Sequence, residues 1–186
     1  MASLNQLPDN LPVPKDDGAC SHLLGTSLPN MELPTTNGQL IDFSSIKSVV
    51  IYCYPMTGRP DTQLPDGWEQ IPGARGCTPQ SCSFRDHYRE LQALDTEVYG
   101  LSTQATDDQQ EAKSRLHLPF ELVSDINLDF IKALNLPTFQ VEGMILTKRV
   151  TLIAQNGLIS KVFYPVFPPD ENADQVLDFL LSRKTS

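Results

Sequence analysis

The run VVIYCY, Val49–Tyr54, is β-branched and aromatic, with no polar residue breaking it, and Pro55 follows directly. An unalternated run of this kind reads as a strand covered on both faces, which demands further structure stacked on each side of its sheet. Pro55 has no N–H for a ladder and closes the strand. The run is also far shorter than the roughly 20 apolar residues that cross a bilayer, so it belongs in a protein core. A chain of 186 residues with 40% hydrophobic content can build that core as a single domain.

The flanking segments supply the layers. Residues 1–24, punctuated by Pro8, Pro12 and Pro14, read as an extended arm lying on a domain that spans 25–186. Asn37-Gly38 marks a small hairpin, and Asn156-Gly157 a larger one within LTKRVTLIAQNGLISKVFY. From Thr78, taken as N-cap with Pro79 as first helical residue, Phe84, Tyr88, Leu91 and Leu94 predict a helix of about four turns. EVYGLST returns to strand; Thr106 with Gln109 forms a capping box for a second helix; FELVSD is a short strand; INLDFIKALN is a third helix ending before Pro137. A last helix covers about Glu171–Ser182. This order predicts an α/β fold whose mixed sheet is parallel early and antiparallel late, flanked by helices.

Charge and leader signals narrow the function classes. A net charge of −9 without a Lys/Arg cluster argues against nucleic acid or an anionic membrane as partner. The first twenty residues hold neither a basic start nor an apolar block, so a soluble, unexported, cytoplasmic protein is expected. Four cysteines, Cys20, Cys53, Cys77 and Cys82, are too few and scattered for a secreted disulfide scaffold and fit a working thiol pair in a reducing compartment. No second Cys/His couplet completes a zinc site.

The pair lies in GCTPQSCSFRDHYREL. A cysteine at a helix start sits beside unpaired N–H groups at the positive end of the dipole, which favour the reactive thiolate. Were the helix unbroken through both cysteines, their Cα atoms would stand roughly 8.7 Å apart and point some 140° away from each other. A disulfide needs about 7 Å or less, so either the pair never bonds or the first turn unwinds before it does.

This segment resembles the active site of peroxiredoxins of the Q type, the bacterioferritin-comigratory-protein branch. Tyr54-Pro55, GLSTQATDDQQEAKSRLHLPFELVSD and KRVTLIAQNGLI are similar to further segments of that family, so the likeness covers about residues 25–183. It implies a thioredoxin-like fold and a thiol-dependent peroxidase that needs no cofactor. Cys77 would attack the peroxide and become a sulfenic acid, Cys82 would condense with it to an intramolecular disulfide, and Arg149 would hold the thiolate and orient the peroxide. The implied partners are a hydrogen or organic peroxide and a thioredoxin or glutaredoxin-like reductant, with the protein a monomer or weak homodimer. The alternative is a peroxide-responsive sensor signalling through the same disulfide.

One departure stands out. Gln70 and Ala74 occupy positions where the family pattern has Pro and Thr or Ser, and Pro55 lies 22 residues before Cys77. The intervening loop is about fifteen residues longer than the family's, and eight of the 22 residues Pro55–Gly76 are Pro or Gly. It reads as an active-site cover, with Thr57, or else Thr62, as the replacement hydroxyl and Trp68 as the loop's apolar anchor. Cys53 is expected in the core; Cys20 is expected exposed, otherwise bonding another subunit or serving as a reserve resolver. His22, His87 and His117 read as surface or satisfied residues.

Overall fold

The computed structural model describes residues 3–184; positions 1–2 and 185–186 of the expected arm and domain lie outside the described residues. The apolar run forms β3 (Ser48–Cys53), preceded by the small hairpin β1 (Leu33–Pro34) and β2 (Leu40–Ile41). β3 is the middle strand of a five-stranded sheet. On one side it pairs in parallel with β4 (Glu97–Ser102), which pairs in parallel with β5 (Leu122–Ser124). On the other it pairs antiparallel with β8 (Val150–Gln155), which continues antiparallel to β9 (Leu158–Phe163). The turn joining β8 and β9 is Asn156-Gly157, both at positive φ, as an Asn-Gly hairpin requires.

The missing alternation in β3 is explained by two cores. Val49, Ile51 and Cys53 face a layer containing Leu23, Phe43, Phe130 and Leu134, the last two from α4 (Asp129–Leu134). Val50 and Tyr52 face a second layer. That layer contains Phe84 of α1 (Cys77–Asp86), Leu91 of α2 (Tyr88–Ala93), Leu116 of α3 (Thr106–Leu116) and Val176 of α5 (Asn172–Lys184). The architecture is α/β, a mixed sheet flanked by helices, as the element order predicts.

Several local expectations are corrected. α1 is capped by Gly76 at φ 115 and begins at Cys77, not after Thr78; Gln80 N–H donates to the Gly76 carbonyl at 3.1 Å. The four-turn helix is broken at His87 into α1 and α2. Thr106 is the first residue of α3, behind Ala105, and no capping box forms. Gln109 instead turns inward and donates to Ser102 Oγ at 2.9 Å and the Val123 carbonyl at 2.7 Å. The stretch LTKRV is not one strand. Leu146 and Thr147 end β7 (Met144–Thr147), which pairs with β6 (Thr138–Val141) in a separate hairpin, and the chain enters the central sheet at Val150.

The N-terminal segment packs along the domain. Leu23 is fully buried, and near it Gly25 N–H and Leu28 N–H donate to the Ile159 and Gly157 carbonyls. Asp17 accepts from Lys148 Nζ and the Tyr164 hydroxyl. Cys20 is therefore not exposed, as the proline-rich context suggests, but buried in the same core as Cys53. Burial, with Asp17 and Asp16 adding to it, pushes its thiol up to about 12, so it stays protonated at neutral pH.

Gly100 in β4 lies against Tyr52, whose hydroxyl bonds Ser81 Oγ at 3.0 Å and whose ring stacks on Phe84 of α1. A Cβ on Gly100 would stand 2.6 Å from Tyr52 Cζ and 2.7 Å from Leu122 Cδ2. Gly100→Ala is therefore expected to destabilise the protein by about 1–3 kcal/mol through overpacking, read as a lower midpoint in urea unfolding; an unchanged midpoint would show that this packing can relax without loss.

Candidate active site

Cys77 is the first residue of α1, and the chain reaches it through a backbone that glycine alone accommodates. Gly76 has φ 115, and a Cβ there would stand 2.7 Å from Pro169 Cγ and 2.9 Å from Leu7 Cδ2. Cys77 is 3% exposed. As a first-turn position it lies beside N–H groups that precede the helix's own hydrogen bonds, and Pro79 adds no competing donor.

Arg149 comes to this sulfur from 72 residues further along the chain. It occupies the two-residue step between β7 and β8, so breaking the LTKRV run is what aims it inward. Its Nη2 lies 3.2 Å from Cys77 Sγ and 3.1 Å from the Ala74 carbonyl; Nε donates to the Gly73 carbonyl at 3.3 Å and Nη1 to Gln80 Oε1 at 2.5 Å. Gln80 is held in turn by Nε2 donating to Asn172 Oδ1 at 3.1 Å, and that oxygen also accepts from Thr151 Oγ1 at 2.7 Å. Arg149 is 4% exposed, and none of these acceptors is a carboxylate. A buried permanent charge needs compensation, and the sulfur is the one hydrogen-bonded partner able to become negative.

Cys82 lies further along α1, half-buried at the edge of the core that holds Cys77. The helix is regular from Cys77 through Asp86, so the cysteine Cα atoms stand roughly 8.7 Å apart by helix geometry, and both thiols are free. Burial raises the Cys82 thiol above its ordinary value, with Arg85 acting the other way. Burial thus favours the protonated thiol while the helix is folded, and a bond to Cys77 would require the first turn to open.

The other expected residues are placed less directly. Pro55 is buried just beyond β3. Thr57 is buried and clasped by Gln104, its N–H donating to Oε1 at 2.9 Å and its carbonyl accepting from Nε2 at 3.3 Å. Its side chain lies by the Tyr54 phenol, which also feels Cys77. Thr62 turns to Asp61 on the surface. At Ala74, where the family pattern has a hydroxyl, the backbone carbonyl meets both Arg149 and Cys77 Sγ, the latter at 3.8 Å. Trp68 anchors the long loop, buried against Ala74 and Leu146 with its ring 6.1 Å from Phe139 of β6. Gln80, Thr151 and Asn172 escaped the sequence reading. Gln80 stood inside the quoted CTPQSC motif, but Thr151 and Asn172 carry no local signal.

Two cavities flank the site. One of about 310 Å3 opens on Arg149 and Gly73, between Pro14, Ile71, Phe139 and Tyr164. It gives a small molecule an approach to the guanidinium. A larger one, about 870 Å3, lies under the long loop by Trp68, Arg75 and Arg115; neither cysteine lines either cavity.

Comparison with known proteins identifies the family. The sequence profile of the Redoxin family matches residues 23–177. Peroxiredoxin Q, chloroplastic, of Oryza sativa subsp. japonica is 28% identical over 160 residues, covering 85% of this chain and 66% of the rice protein. Peroxiredoxin bcp1 of Schizosaccharomyces pombe is 34% identical over 124 residues, covering 64% of this chain and 56% of the yeast protein. The chain thus spans a little under two thirds of the rice protein. Among solved structures, peroxidoxin BcpB of Mycobacterium tuberculosis superposes with a TM-score of 0.71 at 23% identity, covering 87% of this chain and 98% of its own. The bacterioferritin comigratory protein of Xanthomonas campestris, studied for alkyl peroxide reduction, superposes with a TM-score of 0.64 at 18% identity, covering 94% and 98%. With its thioredoxin-like fold, the chain belongs to the redoxin family, and within that family its likeness is to peroxiredoxins of the Q type.

Proposed function

We propose that the protein is a thiol-dependent peroxidase acting on hydrogen peroxide and organic hydroperoxides, with Cys77 as nucleophile, Cys82 as resolving thiol and Arg149 as the charge that orients both sulfur and peroxide. The observation that carries this reading is the buried Arg149 guanidinium at 3.2 Å from Cys77 Sγ, with neutral acceptors at its other positions.

The cycle begins with a peroxide entering the cleft beside Arg149. The Cys77 thiolate attacks one peroxide oxygen as the O–O bond breaks. Sulfur is oxidised to a sulfenic acid, and the departing oxygen takes a proton from solvent and leaves as alcohol or water. Arg149 stabilises the negative charge as it passes from sulfur to the leaving oxygen, which a fixed, preorganised donor does best. The first turn of α1 then opens, and Cys82, freed from the burial that holds its proton, attacks the sulfenic sulfur. A Cys77–Cys82 disulfide forms and water is expelled. An external dithiol of the thioredoxin or glutaredoxin kind restores both thiols by exchange, since the cycle leaves no reductant in this chain. The retained family geometry, with a working charge at the sulfur, supports turnover over single-event signalling.

Intact mass after one equivalent of peroxide should show the loss of two hydrogens, mapping to Cys77 and Cys82. Cys77→Ser should consume no peroxide, whereas Cys82→Ser should complete one turnover and accumulate a sulfenic acid that a dimedone-type reagent traps. Multiple turnover by Cys77→Ser would refute the nucleophile assignment. Arg149→Met should slow the reaction of Cys77 with peroxide by about 10²–10³-fold, the scale of removing one preorganised donor from a buried site. Rapid-mixing kinetics read this directly, and a loss below about threefold would mean that the guanidinium does not take part.

A further inference from the structure

The two residues immediately before Cys77 are gripped by the N-terminal arm. Arg75 is 5% exposed, and its Nη2 donates to the Ser3 carbonyl at 2.7 Å and the Gln6 carbonyl at 3.3 Å. Among the described residues its Nε makes no hydrogen bond, with the Glu69 carboxylate 3.5 Å away. Leu7 and Pro169 both crowd the place where a Cβ on Gly76 would stand, so closely that none fits. Further along the arm, Pro14 lies on Gly73, and Asp17 is tied to Lys148 and Tyr164. A segment without helix or strand of its own thus crosses the entrance to α1 and touches residues 73, 75 and 76 in turn.

That placement matters for the resolving step, and the inference rests on the peroxidase reading above. Closing roughly 8.7 Å to disulfide range requires the turn holding Cys77 to unwind. Cys77 cannot rotate out of the helix without carrying Gly76 and Arg75 with it. Unwinding therefore breaks the two Arg75 hydrogen bonds and lifts Gly76 off Leu7. The free energy of local opening includes these arm contacts as well as the helix's own terminal bonds.

The geometry points to Arg75 and Leu7 as positioning residues that clamp the first turn of α1 through the N-terminal arm and so set how fast the Cys77 sulfenic acid is resolved by Cys82. Two fates compete for that sulfenic acid. Condensation with the Cys82 thiol forms the S–S bond and releases water. Attack on a second peroxide molecule gives the sulfinic acid and one further alcohol or water, with the second peroxide as oxidant. A tighter clamp lengthens the life of the sulfenic acid and sends more of it to the sulfinic state.

The test is rapid-quench intact mass spectrometry of the full chain, wild type against Arg75→Met and Leu7→Ala, following sulfenic, disulfide and sulfinic forms across a range of peroxide concentrations. The clamp predicts that Arg75→Met converts sulfenic acid to disulfide about tenfold faster, the scale of one charge-assisted hydrogen bond, and Leu7→Ala about threefold faster. The sulfinic fraction at high peroxide falls in step, while the peroxide dependence of sulfenic formation is kept. A merely structural role would slow both steps or leave their ratio unmoved. Equal or slower disulfide formation in the variants overturns the clamp; should Arg75→Met not fold, as circular dichroism would show, Leu7→Ala decides alone. Disulfide formation by the wild type in the same experiment keeps the two readings apart, because its presence with unchanged variant rates sinks the clamp and leaves the peroxidase standing.

Discussion

An almost wholly buried guanidinium, with no carboxylate bonded to it among the described residues, is an expensive thing for a fold to hold. Arg149 is in that position, and its surroundings are arranged to make it tolerable. The long loop turns back so that the Gly73 and Ala74 carbonyls meet Nε and Nη2; Gln80 is fixed by Asn172, which is fixed by Thr151; and Cys77 Sγ completes the shell. The elements that supply these groups are far apart in the chain: the loop end, α1, β8 and the start of α5. One charge draws them to a single point. In the proposed reaction the same charge acts on the sulfur, 3.2 Å away, so that reading gives stability and reactivity a shared cause.

The scaffold serves this contact through β3. Because both its faces are buried, α1 can pack on the Val50 and Tyr52 side while the arm and α4 cover the other. Tyr52 reaches from the sheet into α1, stacking on Phe84 at 4.6 Å and bonding Ser81. The body of α1 is thus fastened to the sheet, while its first turn is held by the loop, Pro169 and the arm. That division suits the proposed cycle, in which the helix end opens while its middle stays in place.

What could be read from the sequence follows from how local each feature is. The β3 run, the Asn156-Gly157 turn and the Cys77–Cys82 segment carry their signals within a few residues, and the structure places all three as strand, hairpin and helix. The caps misled because Thr and Pro suit a helix start wherever one falls, whereas Gly76 is set by what encloses it. The β6–β7 hairpin went unread, since its Glu142-Gly143 turn is a weak signal and its strands are largely exposed. Cys20 was misjudged because its burial depends on the distant core it packs into. Gln80 and Asn172 act only through Arg149, which no local pattern connects to them.

The account turns on a sulfur whose partner charge favours reaction with peroxide over reaction with electrophiles in general. Competition kinetics at neutral pH, with hydrogen peroxide and iodoacetamide contending for Cys77 in the reduced protein, measure that preference as a ratio. The account predicts a peroxide rate orders of magnitude above that of a free thiol, with an ordinary alkylation rate. A ratio no different from that of glutathione would contradict it.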